Sequence, residues 1–396
     1  MADESVKAAT SLTIGQAFSP RHNSLNFLRL FMALMVIASH ALVSGPFGND
    51  QIFSDKTTIG TVAVFGFFGI SGYLIAGSAA HNSLGRYLWQ RFLRIFPAFW
   101  VCLVVTVVFF GSIGWISAHH LPHCGISCYL QHRGLSFVTH NFFLRITQTS
   151  LGHGNPVNNA PLWTLFYEFL CYLLLGGLAV LGLLKRRWVV VALAMMLWLA
   201  ELVVAVRPHG YISLDESSIL MLGPVFLTGT LLYLFRDEIR DSRLLALGCA
   251  AGFVASMWVP IGGQLIFERP TSVDLLAPLV AYPLLWLGIH LPLQRVGATN
   301  DYSYGVYIYG APVLSLLEEW RVEYWGYVPF LLIAVGAAFC FAAASWWLVE
   351  RHALKLKKID PRLIVRALFP GWGRTSPAAE ETGLASPVAG RSASVS

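Results

Sequence analysis

Apolar residues in this chain fall in long blocks, not in the narrow stripes of water-facing helices. Ten blocks approach the roughly 20 residues that a helix needs to cross about 30 Å of hydrocarbon. They lie near 25–44, 58–79, 95–116, 163–184, 188–206, 218–235, 243–261, 272–289, 302–320 and 327–349. In lipid the backbone can satisfy its polar groups only internally, so each block reads as an α-helix. The pattern predicts an all-α polytopic membrane protein with about ten transmembrane helices. Pro278, Pro283 and Pro312 interrupt the eighth and ninth blocks, which membrane helices tolerate where neighbours re-satisfy the freed carbonyls. The first block holds Arg29, which the apolar region of a cleavable signal would not accept, so this block is expected to stay as a span. Residues 1–20 and 359–396, rich in Ser, Ala, Gly and Pro, read as disordered tails around one membrane domain at 21–358.

Basic residues orient the helices. With the N-terminus inside, the inner segments as far as Arg366 hold eighteen Lys and Arg and the outer loops six. By the positive-inside rule, both termini are expected to be cytoplasmic. Trp115, Trp163, Trp258, Trp320 and Trp325 then fall near the outer interface, and Trp188 and Trp346 near the inner one, as an aromatic belt requires.

Composition sharpens the class. Of 396 residues, 56% are hydrophobic and only 12% charged, about half the charge of soluble domains. This excludes a large water-soluble enzyme. The net charge of +6 follows the membrane sidedness, so the expected partners include membrane lipids and not nucleic acid. Cys102, Cys171, Cys249 and Cys340 lie in apolar blocks, where thiols behave as small hydrophobes.

Polar residues inside the spans carry the candidate chemistry, because charge in hydrocarbon is costly and marks function. Arg29 and His40 in "NSLNFLRLFMALMVIASHALVSG" are eleven positions apart. At 100° per residue they share one helix face, about 16 Å apart along the axis. One face thus carries a fixed cation low and a titratable base high. Glu168, in "PLWTLFYEFLCYL", enters from the outer side and is expected at the depth of His40. A carboxylate there would orient the imidazole and raise its basicity. Arg91 and Arg94, in "RYLWQRFLRIFPAFW", put two forked donors suited to phosphate on one face at the inner side. Gly66, Gly69, Gly72 and Gly77 in the second span favour close helix packing or leave room for a narrow channel.

The outer loop 116–161 contains "HHLPHCGISCYLQH", with His119, His120, His123, Cys124, Cys128 and His132. The spacing fits no specific zinc pattern, so no metal site is expected. A Cys124–Cys128 disulfide suits an oxidising outer side; otherwise the loop is a lid or an acceptor-binding surface.

Taken together, these motifs resemble the acyltransferase-3 family of integral membrane acyltransferases over about residues 24–358. Arg29 and His40 match its Arg, ten residues, His signature. "FFGISGYLI" (Phe67 to Ile75) matches its second span, and Arg91 and Arg94 followed by "IFP" match its R-x-x-R entrance to the third. Trp163, Thr164, Leu165 and Glu168 resemble its Trp-Ser-Leu-x-x-Glu stretch with Thr for Ser, and "DYSYGVYIYGAP" and "WWLVERHALKL" resemble its closing motifs. Gly310 stands where many relatives have histidine, which rules out a second imidazole there, and His352 replaces a frequent proline.

The resemblance implies transfer of an acyl group, usually acetyl, from cytoplasmic acyl-CoA to a hydroxyl of a glycan or lipid-linked glycan at the outer face of a bacterial inner membrane. It implies acyl-CoA as donor substrate, with no permanently bound cofactor. His40 is the expected base, or a transiently acylated nucleophile, and Glu168 its orienting partner. Arg29, Arg91 and Arg94 are expected to hold the CoA phosphates or pantetheine arm, with Ser71, Trp163 and Tyr304 binding substrate. The competing readings are a transporter or flippase of a glycan-assembly pathway, which would favour repeated halves that this chain lacks, and a non-catalytic membrane partner.

Overall fold

In the computed structural model the described residues are 12–51, 56–117, 125–146, 149–151, 156–206, 214–259 and 271–359. They are helical, with isolated bridges and no strand among them. Ten helices occupy the positions of the ten apolar blocks. They are α1 Leu25–Ser44, α2 Ile59–His81, α3 Leu84–Ser117, α4 Ala160–Val180, α5 Arg187–Val206 and α6 Leu214–Leu234, followed by α7 Arg243–Ala255, α8 Ser272–His290, α9 Ser303–Glu319 and α10 Tyr327–Ser345. Eight helices of the described residues are long and apolar enough to span. The expected seventh and ninth spans are the other two. The seventh is a shorter apolar helix, Arg243–Trp258, and the ninth has 17 residues.

The ninth differs because of where it sits. Every residue of α9 from Ser303 to Leu317 is buried, so it faces protein instead of lipid and needs no apolar surface of its own. It packs against α1 and α10. A Cβ on Gly310 would lie 2.7 Å from Ile37 Cγ1 of α1. The glycine at this position therefore lets α9 lie close to α1.

α2 packs against α1, α4, α6 and α8. Its glycines serve close approach: a Cβ on Gly72 would strike the Phe226 carbonyl of α6, and one on Gly229 would strike the Gly69 carbonyl of α2. Small residues substitute for a hydrophobic driving force, which is absent between helices in lipid. The outward face of α5 shows Met195, Met196, Leu199 and Val203, as a lipid-facing surface should.

The N-terminal segment corrects one expectation. Within the tail expected at 1–20, Ile14–Ala17 forms a turn of helix with a capping box between Thr13 and Gln16. Its amides bond the loop after α6, Ile14 N to Ile239 O at 2.9 Å and Gly15 N to Arg236 O at 2.8 Å. Local capping and a free row of carbonyls overrode the tail-like composition. The chain divides into two compact units, Met1–Lys357 and Lys358–Ser396. The remaining tail residues, 1–11 and 360–396, lie outside the described residues.

Candidate active site

The basic end of the bundle is organised by Asp301, in the connection before α9. Its Oδ1 accepts from Ser303 Oγ at 2.5 Å and Ser303 N at 3.2 Å, at the first residue of α9. Its Oδ2 accepts from Arg94 Nη2 at 2.5 Å and Arg29 Nη1 at 3.3 Å. Neighbouring bonds tie the same connection to α1: Asn26 Nδ2 donates to Gly297 O at 2.9 Å and Ser24 Oγ to Leu291 O at 2.6 Å. Burial alone would push the Asp301 carboxyl up. Arg94, then Arg29, and the Ser303 hydrogen bonds outweigh burial and hold it well below the usual carboxylate range.

A cavity of about 300 Å³ opens beside this cluster, lined by Arg29, Ser71, Arg91, Arg94, Tyr172 and Lys357, with Asp301. Arg94 Nη1 is also 4.0 Å from Glu350 Oε2. Arg91 and Lys357 have no carboxylate partner among the described residues. The Arg91 guanidinium lies 5.8 Å from the Tyr172 ring centroid, and its buried Nε has no hydrogen-bond partner. Four cations thus face two carboxylates, and the surplus suits an anion.

Arg29 also lines a narrow neck of about 30 Å³, with Phe67, Thr164, Glu168, Tyr304 and Tyr307. The neck is fixed by aromatic hydroxyls spent on backbone. Tyr304 OH donates to Ile95 O at 2.9 Å, and Tyr307 OH to Pro161 O at 2.7 Å, with Thr164 Oγ1 2.5 Å from the Tyr307 hydroxyl. Phe67 packs edge-on to Tyr307 at 5.6 Å. Glu168 Oε1 accepts from Ser71 Oγ at 3.0 Å and from Tyr172 OH.

Beyond the neck is a second cavity of about 240 Å³, lined by Ser39, His40, Asp50, Thr61, Trp163 and Tyr307. Val64, Thr164 and Tyr307 belong to both neck and cavity, so the three spaces follow one line along α1. His40 Nδ1 lies 2.8 Å from the Val36 carbonyl. That oxygen can only accept, so the neutral imidazole carries its proton on Nδ1 and its lone pair on Nε2.

The shared face of Arg29 and His40 is therefore present, one at the basic cavity and neck, the other at the far cavity. Arg91 and Arg94 join Arg29 at the basic end, with Ser71 beside them. Tyr304 is in the neck and Trp163 at the His40 cavity. The expected Glu168–His40 pair does not form. Glu168 is held by Ser71 and Tyr172, and His40 by its own helix. Glu168 lies five residues beyond Trp163 on α4 and lines the neck with Arg29, not the His40 cavity.

The residues that sequence reasoning passed over are Asp301, Asp50, Lys357 and Tyr307. Asp301 carried a signal: a lone carboxylate before a helix in a chain whose spans hold unpaired arginines. In the 116–161 loop, Cys128 is disulfide-bonded, while His119, His120, His123 and Cys124 lie outside the described residues. Among the described residues no group of three or more His, Cys, Asp or Glu could hold a metal ion.

A profile of the acyltransferase-3 family, described as an acyltransferase domain, matches residues 22–348. The chain belongs to the acyltransferase-3 family. It is 26% identical over 357 residues to an O-acetyl transferase of Shigella phage Sf6, covering 84% of this chain and 96% of that one. It is 28% identical over 370 residues to nodulation protein 10 of Rhizobium leguminosarum bv. viciae, covering 86% and 95%. A shorter match, 34% over 94 residues, is to the acyltransferase MdmB of Streptomyces mycarofaciens, covering 23% and 24%. No solved structure is significantly similar. This acyltransferase-3 protein is an O-acyltransferase, and its apolar helices place it in a membrane.

Proposed function

We propose that this protein carries an acyl group, most simply acetyl, from acyl-CoA in the basic cavity to a hydroxyl of a glycan or lipid-linked glycan in the His40 cavity. The observation that carries this reading is the line of spaces along one face of α1, from Arg29 through the neck to His40. Arg91, Lys357, Arg94 and Arg29 receive the phosphates of CoA. The pantetheine arm enters the neck and presents its thioester towards His40. With Nδ1–H held by Val36, Nε2 takes the proton of the acceptor hydroxyl as its oxygen attacks the thioester carbonyl. The tetrahedral adduct collapses, the carbon–sulfur bond breaks, and the imidazolium returns the proton to the departing sulfur. Glu168 acts as a positioning residue of the neck beside Arg29. On this reading the Arg29 end and both termini face the cytoplasm, where acyl-CoA is found, which the excess of basic residues at that end supports, and the natural setting is a bacterial inner membrane. The O-acetyl transferase relative supports the acetyl donor.

The reading is tested with purified protein in nanodiscs, radiolabelled acetyl-CoA and a cell-envelope glycan fraction, comparing wild type with His40→Ala and Arg91→Ala. Label reaches glycan with wild type and not with His40→Ala, while Arg91→Ala needs more acetyl-CoA. A wild type that neither binds nor turns over acetyl-CoA would refute it.

A further inference from the structure

The acyl-transfer reading leaves one charged group of the His40 cavity without a task. Asp50 lies in the connection between α1 and α2, and its carboxylate lines the same cavity as the imidazole. It is held there by a specific arrangement. The Gly60 amide at the start of α2 donates to Ser39 Oγ at 3.0 Å, so the Ser39 hydroxyl must turn its own proton elsewhere, and it donates to Asp50 Oδ2. Ile59 N meanwhile donates to the Asp50 carbonyl at 3.1 Å. Ser39 is 1% exposed, and it precedes His40 directly on α1. Oδ1 of Asp50 has no hydrogen-bond partner among the described residues. The carboxylate is thus oriented through one oxygen and left free to accept through the other.

The rest of the lining indicates what it accepts. Among the described residues no lysine or arginine lines this cavity, in contrast to the basic one. An anionic acceptor group would meet no lysine or arginine among these residues and would be repelled by Asp50. Thr58 and Thr61 supply hydroxyls and Trp163 an aromatic ring. A carboxylate oxygen with neighbouring hydroxyls and an aromatic face suits a neutral sugar ring. Its hydroxyls donate to the carboxylate, and its apolar C–H face lies on the indole.

We infer that Asp50, oriented by Ser39, forms with Trp163 a subsite for a neutral saccharide, binding the hydroxyl next to the one that His40 deprotonates. The acceptor class is therefore an uncharged glycan unit with vicinal hydroxyls. Asp50 makes its contact to the sugar and takes no proton in the reaction. The inference rests on the acyl-transfer reading and adds the acceptor's anchor to it.

The test measures half-saturating concentrations of the envelope glycan fraction and of acetyl-CoA for wild type, Asp50→Asn, Asp50→Glu and Ser39→Ala. Loss of a charge-assisted hydrogen bond raises half-saturating glycan about 10- to 100-fold in Asp50→Asn. The acetyl-CoA value does not follow it, and Asp50→Glu recovers part of the loss. Ser39→Ala shifts the glycan value in the same direction and by less. A second readout is independent of turnover. Thr61→Cys is labelled with a charged maleimide, counted over the label taken up by protein without that cysteine, and glycan slows the labelling. In Thr61→Cys combined with Asp50→Asn the same glycan concentration no longer protects. If Asp50→Asn saturates with glycan as wild type does, or if protection survives in the double variant, the subsite is wrong and acyl transfer stands. If wild type labels no glycan at all, the acyl-transfer reading falls and takes the subsite with it.

Discussion

The two larger cavities are similar in size and opposite in character. The basic one gathers Arg29, Arg91, Arg94 and Lys357 around Asp301. The far one has no lysine or arginine among the described residues and holds an imidazole, a carboxylate and hydroxyls. Between them lies the neck, of only about 30 Å³. The difference teaches how one helix bundle handles two unlike substrates. On the proposed reading, a polyanionic donor is held by charge at one end, a neutral acceptor by directed hydrogen bonds at the other, and only the reacting group has to pass between.

The comparison breaks most directly at His40. His40→Ala should reduce transfer by about 100- to 10,000-fold, the range for a positioned general base, while acetyl-CoA binding measured by calorimetry stays. A parallel loss of binding would mean that the two cavities are not separate in function. Asp301→Asn comes next. Leaving Arg29 and Arg94 without their shared carboxylate should cost about 3–5 kcal/mol of stability, read as a lower midpoint of thermal unfolding in detergent. Unchanged unfolding would show that the arginines are solvated well enough without it.

Arg91→Ala should raise half-saturating acetyl-CoA about tenfold or more, the worth of one charge-assisted contact, and should leave the glycan dependence alone. Phe67→Ala should sharpen the role of the neck. Removing a ring that packs on Tyr307 should raise use of propionyl- and butyryl-CoA relative to acetyl-CoA by a few fold. An unaltered chain-length profile would place the length filter elsewhere.

The smallest expected effect is that of acid on the basic end. Burial opposes ionisation of Asp301, but Arg94 and Arg29 overcome it and hold its pKa below the ordinary 3.8. Its ion pairs are therefore complete above that value and fail only as pH falls further, through the lowered pKa. From about pH 7 to 5, where imidazole titrates, Asp301 should not contribute to any change in donor binding, and rate changes should track kcat. A Kd for acetyl-CoA that weakens across this range, and does so no longer in Asp301→Asn, would contradict the assignment.

Much of the site was legible in the chain itself. The eleven-residue spacing of Arg29 and His40 sets both on one face through helical geometry alone, and the structure lines its three spaces along that face. R-x-x-R before an apolar block is likewise a local pattern, and it fell where the anion-suited cavity is. Glu168 was different. Its helix could be read, but neither its depth nor its neighbours. It lines the neck with Arg29 and is held by Ser71 and Tyr172, away from the cavity of the imidazole. The ninth span shows the same limit. Proline and polar residues lower the apolar signal of α9, although it is the helix most enclosed by protein.

The apolar blocks, the polar positions within them and the sidedness of the basic residues follow from the linear order of side chains, because burial in lipid and helical periodicity act over a few turns. Which carboxylate meets which cation was settled only by packing between distant helices. Asp301 meets Arg29 across 272 positions and Arg94 across 207. Glycines at Gly72 and Gly310 fix how closely helices approach, and that approach decides whether the spaces between them join into one path. No spacing rule along a single helix contains this information, because it arises where three helices meet.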